Sequence, residues 1–403
     1  MIIQPQIQGV VARNCHPYGC QAAVKDHIKT VRALVQSNAL AAKESTPKRV
    51  LILGASSGFG LASRIALMFG PAAASTIGVS FERGPSEKGV GSAGWYNNVF
   101  VKEEADASGL TTSNIIGDAF SEDVRQRVAD TIHRQFGGKV DMVVYSLATG
   151  VRPNPKTGEF WRSAIKPVGK TVSGYSIDLE KQSLSLMTLP PATEQEMDET
   201  IKVMGGEDWL HWMSFLSENA LLAEGCSTVS YSYIGPEHTH DIYHDGTLGK
   251  AKIDLHQTRA AINTLLAPLN GHADVAVCKA LVTKASVFIP GLTPYLLVLY
   301  KAMKAQGLHE QCIEQMVRLF YQKWPNTDDR DEDGLIRVDD WELSDEVQHA
   351  VNDILPLLNP DNFRELGDFD GLYQEFLQLN GFGYDDVDYQ TEISLDALKA
   401  LRP

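Results

Sequence analysis

The chain predicts an α/β fold, a doubly wound parallel sheet with a long insertion and a C-terminal extension. Two observations carry this. The apolar run Val50-Leu51-Ile52-Leu53 passes into Gly54-Ala55-Ser56-Ser57-Gly58-Phe59-Gly60 and then a helical pattern from Leu61 to Phe69. Further short, β-branched apolar runs follow at intervals of roughly 20 to 40 residues, apart from one much longer gap, which leaves room for helices between parallel strands.

In chain order, an extended start is followed by an amphipathic helical pattern from about Gln21 to Leu40 and a linker-like stretch, 41–48. Strands are expected at Val50–Leu53, Thr76–Ser80, Asn114–Ile116, Val140–Ser146, Thr228–Ile234 and Val275–Val282, and a helix from Gly249 through Asn263. Residues 151–225 form the insertion and 318–403 the acidic extension. Neither is bounded by a Pro/Gly/Ser-rich linker, so both are expected to pack on one elaborated domain, 1–403.

The first strand and its glycines specify a ligand. Gly54-x3-Gly58-x-Gly60 bares the backbone where a pyrophosphate approaches, and the following helix N-terminus offers N–H donors and partial positive charge. Glu82 closes the second strand, roughly 20 residues past the turn, where a carboxylate accepts hydrogen bonds from an adenosine ribose. Its charge repels a 2′-phosphate and favours NADH over NADPH; Arg83 beside it is the residue that could pair with such a phosphate instead.

Composition excludes several classes. A formal net charge of −15 argues against nucleic acid and anionic membrane surfaces, while permitting a locally basic pocket for a phosphate-bearing ligand. The N-terminus carries no basic region of a signal peptide. The long uncharged run 285–300 is 16 residues and is broken by Pro290, Gly291 and Pro294, too short and kinked for a membrane span. Five cysteines, an odd number, suggest a reducing cytoplasm without a disulfide framework.

Two metal-like patterns are weak. Cys15-His16-x3-Cys20 lacks a second ligand pair. Asp329, Asp331, Asp333 and Gly334 match the start of a calcium loop, but its last position is Asp340, too short for the usual bidentate glutamate. No metal is expected.

For chemistry, the strand Thr228–Ile234 carries Tyr231 and Tyr233, Tyr243 follows, and Gly249-Lys250-Ala251-Lys252 opens the next helix. A phenol near an ammonium at a nicotinamide site is an acid/base pair, because the cation stabilises the phenolate. Tyr243-x6-Lys250 and Tyr243-x8-Lys252 both fit, yet the lysines stand about 200° apart on a helix, so one of them faces the cofactor.

The chain resembles the single-chain trans-2-enoyl-thioester reductases, which comprise the FabV-type enoyl-acyl-carrier-protein reductases and the bacterial trans-2-enoyl-CoA reductases. The likeness spans the chain: Asn14-x-His16-Pro17-x-Gly19-Cys20, the glycine turn, Gly78 to Glu82, Gly94-Trp95-Tyr96-Asn97, Gly117 to Phe120, and Tyr145 to Ala148. It continues through Val203 to Trp209, Tyr231 to Gly235, Gly249 to Lys252, Leu281 to Ser286, and Asp339-Asp340-Trp341-Glu342.

The resemblance implies a short-chain-dehydrogenase-like Rossmann fold and NADH-dependent reduction of the C2=C3 double bond of enoyl-CoA or enoyl-carrier-protein substrates. Its Tyr-x8-Lys pattern selects Tyr243 and Lys252 as catalytic, with Tyr233 as a second tyrosine. Implied cofactor contacts are Gly54, Ser56, Ser57, Gly58, Phe59, Gly60, Phe81, Glu82, Asp118, Ala119, Ser146, Leu147, Ala148, Lys252, Leu281, Val282, Thr283 and Ala285. Tyr233, Tyr243, Phe288, Ile289, Leu292 and Tyr295 are expected around the substrate. A segment that departs from the family, Pro290 to Pro294, leaves chain-length preference open, as it does the choice between CoA and carrier protein. The expected enzyme is a cytoplasmic monomer. Its rivals are an alcohol/ketone dehydrogenase, whose Tyr-x3-Lys would put a lysine where Thr247 stands, and a catalytically silent NADH-binding protein.

Overall fold

The computed structural model describes residues 1–41 and 46–403; part of the expected linker lies outside the described residues. A seven-stranded, all-parallel sheet forms the centre. Its strands are β1 (Arg49–Leu53), β2 (Ser75–Ser80), β3 (Thr112–Ile116), β4 (Val140–Tyr145), β5 (Leu222–Ser232), β6 (His272–Val277) and β7 (Ile336–Arg337). Their spatial order, β7-β6-β5-β4-β1-β2-β3, is the doubly wound arrangement expected. The order reverses between β1 and β4, and ligands bind at the carboxyl ends of strands at such a switch point.

Burial explains why these runs became strands. Val50 to Leu53 and Met142 to Val144 are fully buried, since helices cover both faces of the sheet. On one face pack α1 (Pro17–Ser37), α2 (Gly58–Phe69) and α3 (Ala93–Ala107). On the other lie α4 (Glu122–Phe136), α5 (Glu207–Glu218) and α6 (Thr247–Leu266). A third apolar cluster joins the insertion to the extension around α7 (Leu292–Ala305) and includes Tyr233 and Tyr243.

Several boundaries differ from the sequence expectation, three of them by four residues or more. The first long helix begins at Pro17, because the His16 ring accepts from Gly19 N–H at 3.0 Å and caps it. β5 begins at Leu222, with a register irregularity before Ser227. β6 ends at Val277 and not Val282: Ala280 N–H leaves the ladder and donates to the Glu342 carboxylate at 2.7 Å. Sequence reading missed β7, whose Ile336 pairs with Ala276, and the insertion's hairpins Val151–Pro153/Phe160–Arg162 and Val172–Asp178/Ser183–Leu189.

Among the described residues, no helix is long and apolar enough to cross a membrane. The calcium-like loop spends its carboxylates on cations. Asp331 pairs with Arg337 at 3.3 Å, and Asp340 with Arg318 at 2.6 Å and Lys323 at 2.8 Å.

Candidate active site

The nucleotide end is built by the turn after β1. Gly54 adopts φ +88°, and a Cβ there would stand 2.2 Å from the Ser146 carbonyl oxygen; one at Gly60 would stand 2.1 Å from that of Gly54. These glycines let β1 and the segment after β4 meet at the switch point. Gly58, φ +53°, has no atom within 4 Å of its Cβ position and faces open space. Ser57 caps α2 without a side-chain hydrogen bond, so the first N–H groups of the helix stay free for an anion.

Glu82 is locked at the end of β2. Ser56 Oγ donates to it at 2.6 Å, the Ser92 hydroxyl donates to its other oxygen, and Gly94 leaves room for the carboxylate. Phe81 beside it is 80% exposed, an aromatic face offered to a stacking partner. Asp118 folds back on Phe120 N–H at 2.9 Å, and Ala119 is buried. Ser146 N–H holds the Leu53 carbonyl at 2.9 Å, with Leu147 and then exposed Ala148 continuing along the crevice.

The segment after β6 closes the opposite wall. Val282 N–H donates to the Tyr300 hydroxyl at 3.0 Å, while Thr283 and Ser286 exchange side chain-to-backbone hydrogen bonds at 2.8 and 3.0 Å. Leu281 and Val282 share a cavity of about 80 Å³ with Ser57, Gly58 and Asn97, so this wall and the glycine turn meet.

At the reducing end, Lys252 turns inward and donates to the Tyr231 carbonyl at 3.0 Å, whereas Lys250 is exposed. Burial brings the Lys252 ammonium down to about 8. Tyr231 itself is tied to Ser63 at 2.5 Å, with its ring against Phe59.

Tyr243 is 6% exposed, with its ring edge-on to that of Tyr233 at 4.6 Å. Among the described residues its hydroxyl has no hydrogen-bond partner. The expected lowering of this phenol by a neighbouring ammonium is not found. Burial pushes it upward, and Lys252 is engaged with Tyr231, so Tyr243 stays protonated at neutral pH and is a donor.

Tyr233 is differently placed. Its hydroxyl donates to Glu342 Oε1 at 3.0 Å, and Tyr295 donates to the same oxygen at 2.6 Å. Glu342 is fully buried, which pushes its carboxyl upward.

Tyr243, Ile289, Leu292 and Tyr295 line one cavity of about 280 Å³, together with Tyr175 and Leu358. Phe288 does not join them; it is 52% exposed and faces a separate cleft.

Comparison with known proteins follows this geometry. Residues 2–87 match a family model described as the NAD(P)H binding domain of trans-2-enoyl-CoA reductase, and 89–324 match its catalytic region. The chain belongs to the trans-2-enoyl-CoA reductase family. It is 58% identical, over the full length of both chains, to the enoyl-[acyl-carrier-protein] reductase [NADH] 2 of Vibrio parahaemolyticus. It is 46% identical, again over both full lengths, to the trans-2-enoyl-CoA reductase [NADH] of Clostridium beijerinckii. A solved trans-2-enoyl-CoA reductase from Clostridium acetobutulicum in complex with NADH superposes with a TM-score of 0.95, at 42% identity and full coverage of both chains.

A third match, residues 330–393, is to a model described as an enoyl reductase FAD binding domain. The residues there do not fit a flavin dinucleotide. Added Cβ atoms at Gly367, Gly371, Gly381 and Gly383 would collide with the protein's own atoms at 2.3 to 2.7 Å, so none opens a phosphate cradle. The cleft of about 730 Å³ beside this segment sets Asp26, Asp385, Asp386 and Asp388 against Lys25 and Lys29, a net negative lining that disfavours a diphosphate. The open turn at Gly58 and the locked Glu82 do fit a nicotinamide dinucleotide.

Sequence reasoning on this reductase missed Glu342, Asn97 and Arg64. Asn97 holds the Ser56 carbonyl at 2.9 Å. Arg64 is fully buried among Thr76, Thr112, Asn98 and Asn114, under the nucleotide strands, and burial brings it down to about 9. Asn97 and Glu342 stood inside motifs that carry the family resemblance, but nothing local marked either as buried. Arg64 gave no signal at all.

Proposed function

We propose a division of labour for this NADH-dependent reductase of the C2=C3 double bond in trans-2-enoyl thioesters, an enzyme of fatty acid synthesis. The Gly54–Gly60 turn, with Ser56 to Phe59, holds the pyrophosphate. Glu82 binds the adenosine ribose, Phe81 stacks on the adenine, and Asp118 and Ala119 flank it. Ser146 to Ala148 and Lys252 hold the nicotinamide ribose, while Leu281 to Thr283 and Ala285 cover the ring and phosphates. NADH, when bound, supplies the hydride that reaches C3.

Negative charge then develops on the thioester oxygen as an enolate, and a proton taken up at C2 completes the saturated acyl thioester. Tyr243 supplies the donor for that oxygen, and a donor aimed at developing charge lowers the barrier more than it stabilises bound substrate. The observation that carries this reading is the contrast between two tyrosines. Tyr243 has an unengaged, protonated hydroxyl at the cavity wall, whereas the Tyr233 proton is committed to Glu342. Tyr233 therefore shapes and positions the site. Ile289, Leu292 and Tyr295 form the wall for the acyl tail, and burial there excludes water from the enolate.

One chain supplies the cradle, the reducing end and the cavity, and the extension adds β7 to the central sheet. We read it as one elaborated domain acting as a monomer. All five cysteines are free, in keeping with the reducing cytoplasm. Initial rates of NADH oxidation with C4 to C12 enoyl-CoAs and an enoyl-carrier protein test the assignment. Failure with every enoyl thioester overturns it.

A further inference from the structure

A cleft of about 200 Å³ opens beside the nucleotide end, lined by Arg13, Arg83 and Lys284 together with Ser92, Ala93 and Phe288. Among the described residues, no carboxylate lines it and none of the three cations pairs with one; the Arg13 guanidinium donates only to the Gln8 side chain, at 2.8 Å through Nε. In a chain of net charge −15, three unneutralised cations around one cavity mark a place for an anion. Ser92 and Ala93 start the 15-residue helix α3, whose first turn already packs against the Glu82 carboxylate, so the three cations and not the helix end are what would hold the anion.

The cleft also stands in a definite relation to the acyl cavity. Phe288 and Ile289 are adjacent in the chain, yet Phe288 lines the cationic cleft and Ile289 lines the cavity of Tyr243. The segment 284–289 therefore separates the two. A substrate with an apolar end and an anionic end, joined by a flexible arm, matches that pair of spaces.

We infer that the Arg13–Arg83–Lys284 cleft binds the phosphate at the head of the pantetheine arm that carries the enoyl group. This rests on the reductase reading above. The phosphopantetheine head is common to coenzyme A and to an acyl carrier protein, so the chemistry is shared and the source is left to experiment. Arg83 then serves the acyl carrier and not a 2′-phosphate of the dinucleotide.

The test compares crotonyl-CoA, crotonyl-acyl carrier protein and crotonyl-pantetheine, which lacks the phosphate, in Arg13→Glu and Arg83→Gln. Arg13 is exposed, so its reversal is compatible with folding. In both variants KM should rise about tenfold for the phosphorylated substrates, the scale of one partly screened charge-assisted contact. KM for crotonyl-pantetheine, kcat and the NADH Kd should hold. A rise confined to one phosphorylated substrate supports the cleft and names its carrier. Equal shifts for all three substrates, no shift for any, or a matching loss of NADH affinity overturns the inference. Wild-type reduction of crotonyl-pantetheine keeps the reductase reading separate, since that activity needs no phosphate contact.

Discussion

Glu342 accepts a hydrogen bond from the Tyr233 hydroxyl at 3.0 Å, across 109 positions of sequence, and so ties the C-terminal extension to the segment that follows β5. The same carboxylate receives Tyr295 from the wall of the cavity that Tyr243 lines and Ala280 N–H from the segment after β6. One buried anion thus sets three parts of the site relative to one another.

Glu342→Gln should lower kcat about tenfold or more while leaving the NADH Kd within about twofold. The amide keeps the shape but turns an NH₂ toward one of three donors, and an unmet buried donor costs about 1–3 kcal/mol. Stopped-flow turnover and NADH titration check this. A fall in melting temperature with unchanged kcat would reduce Glu342 to a structural role.

Glu82 predicts a strong preference for NADH. Its carboxylate is held by Ser56 and Ser92 at the end of β2, where a 2′-phosphate would meet it. The ratio of kcat/KM for the two cofactors should narrow in Glu82→Ala. Equal efficiency of the wild type with NADPH would contradict this.

NADH affinity should weaken as pH rises through about 8, because Lys252, brought down to about that value by burial, carries its charge below it and loses it above. Lys252→Arg keeps the charge throughout and should flatten the dependence. Titrations from pH 7 to 9 read this directly.

Calcium should change neither melting temperature nor rate after chelation. The loop's Asp340 is held by Arg318 and Lys323, and Asp331 by Arg337. A clear rise in either on adding calcium would contradict that.

Much of the fold was legible because parallel strands buried on both faces read as short apolar runs, as Val50 to Leu53 does. The two-residue β7 was not, since its place depends on a long-range pairing between Ile336 and Ala276. The end of β6 misled for a related reason: the apolar run continues to Val282, but Ala280 finds a better acceptor in Glu342 than in the ladder. In the site, glycine spacing and Glu82 announced the nucleotide end. Tyr243 and Lys252 were visible only with an alternative at Lys250, which is exposed where Lys252 turns inward to the Tyr231 carbonyl. Glu342 lay beyond local pattern, because a carboxylate buried against distant tyrosines has no signature of its own.

The two lysines should separate cleanly. Lys252→Ala should nearly abolish turnover and weaken NADH binding, whereas exposed Lys250→Ala should retain most activity. The reverse result would place the cofactor on the other face of α6.

The most direct test is single-turnover reduction of crotonyl-CoA by Tyr243→Phe with NADH saturating. Removing the hydroxyl keeps the ring packed against Tyr233 and deletes only the donor, so the rate should fall about 10²–10³-fold with NADH Kd unchanged. A rate within a few-fold of wild type would contradict the account, and would move oxyanion stabilisation away from Tyr243.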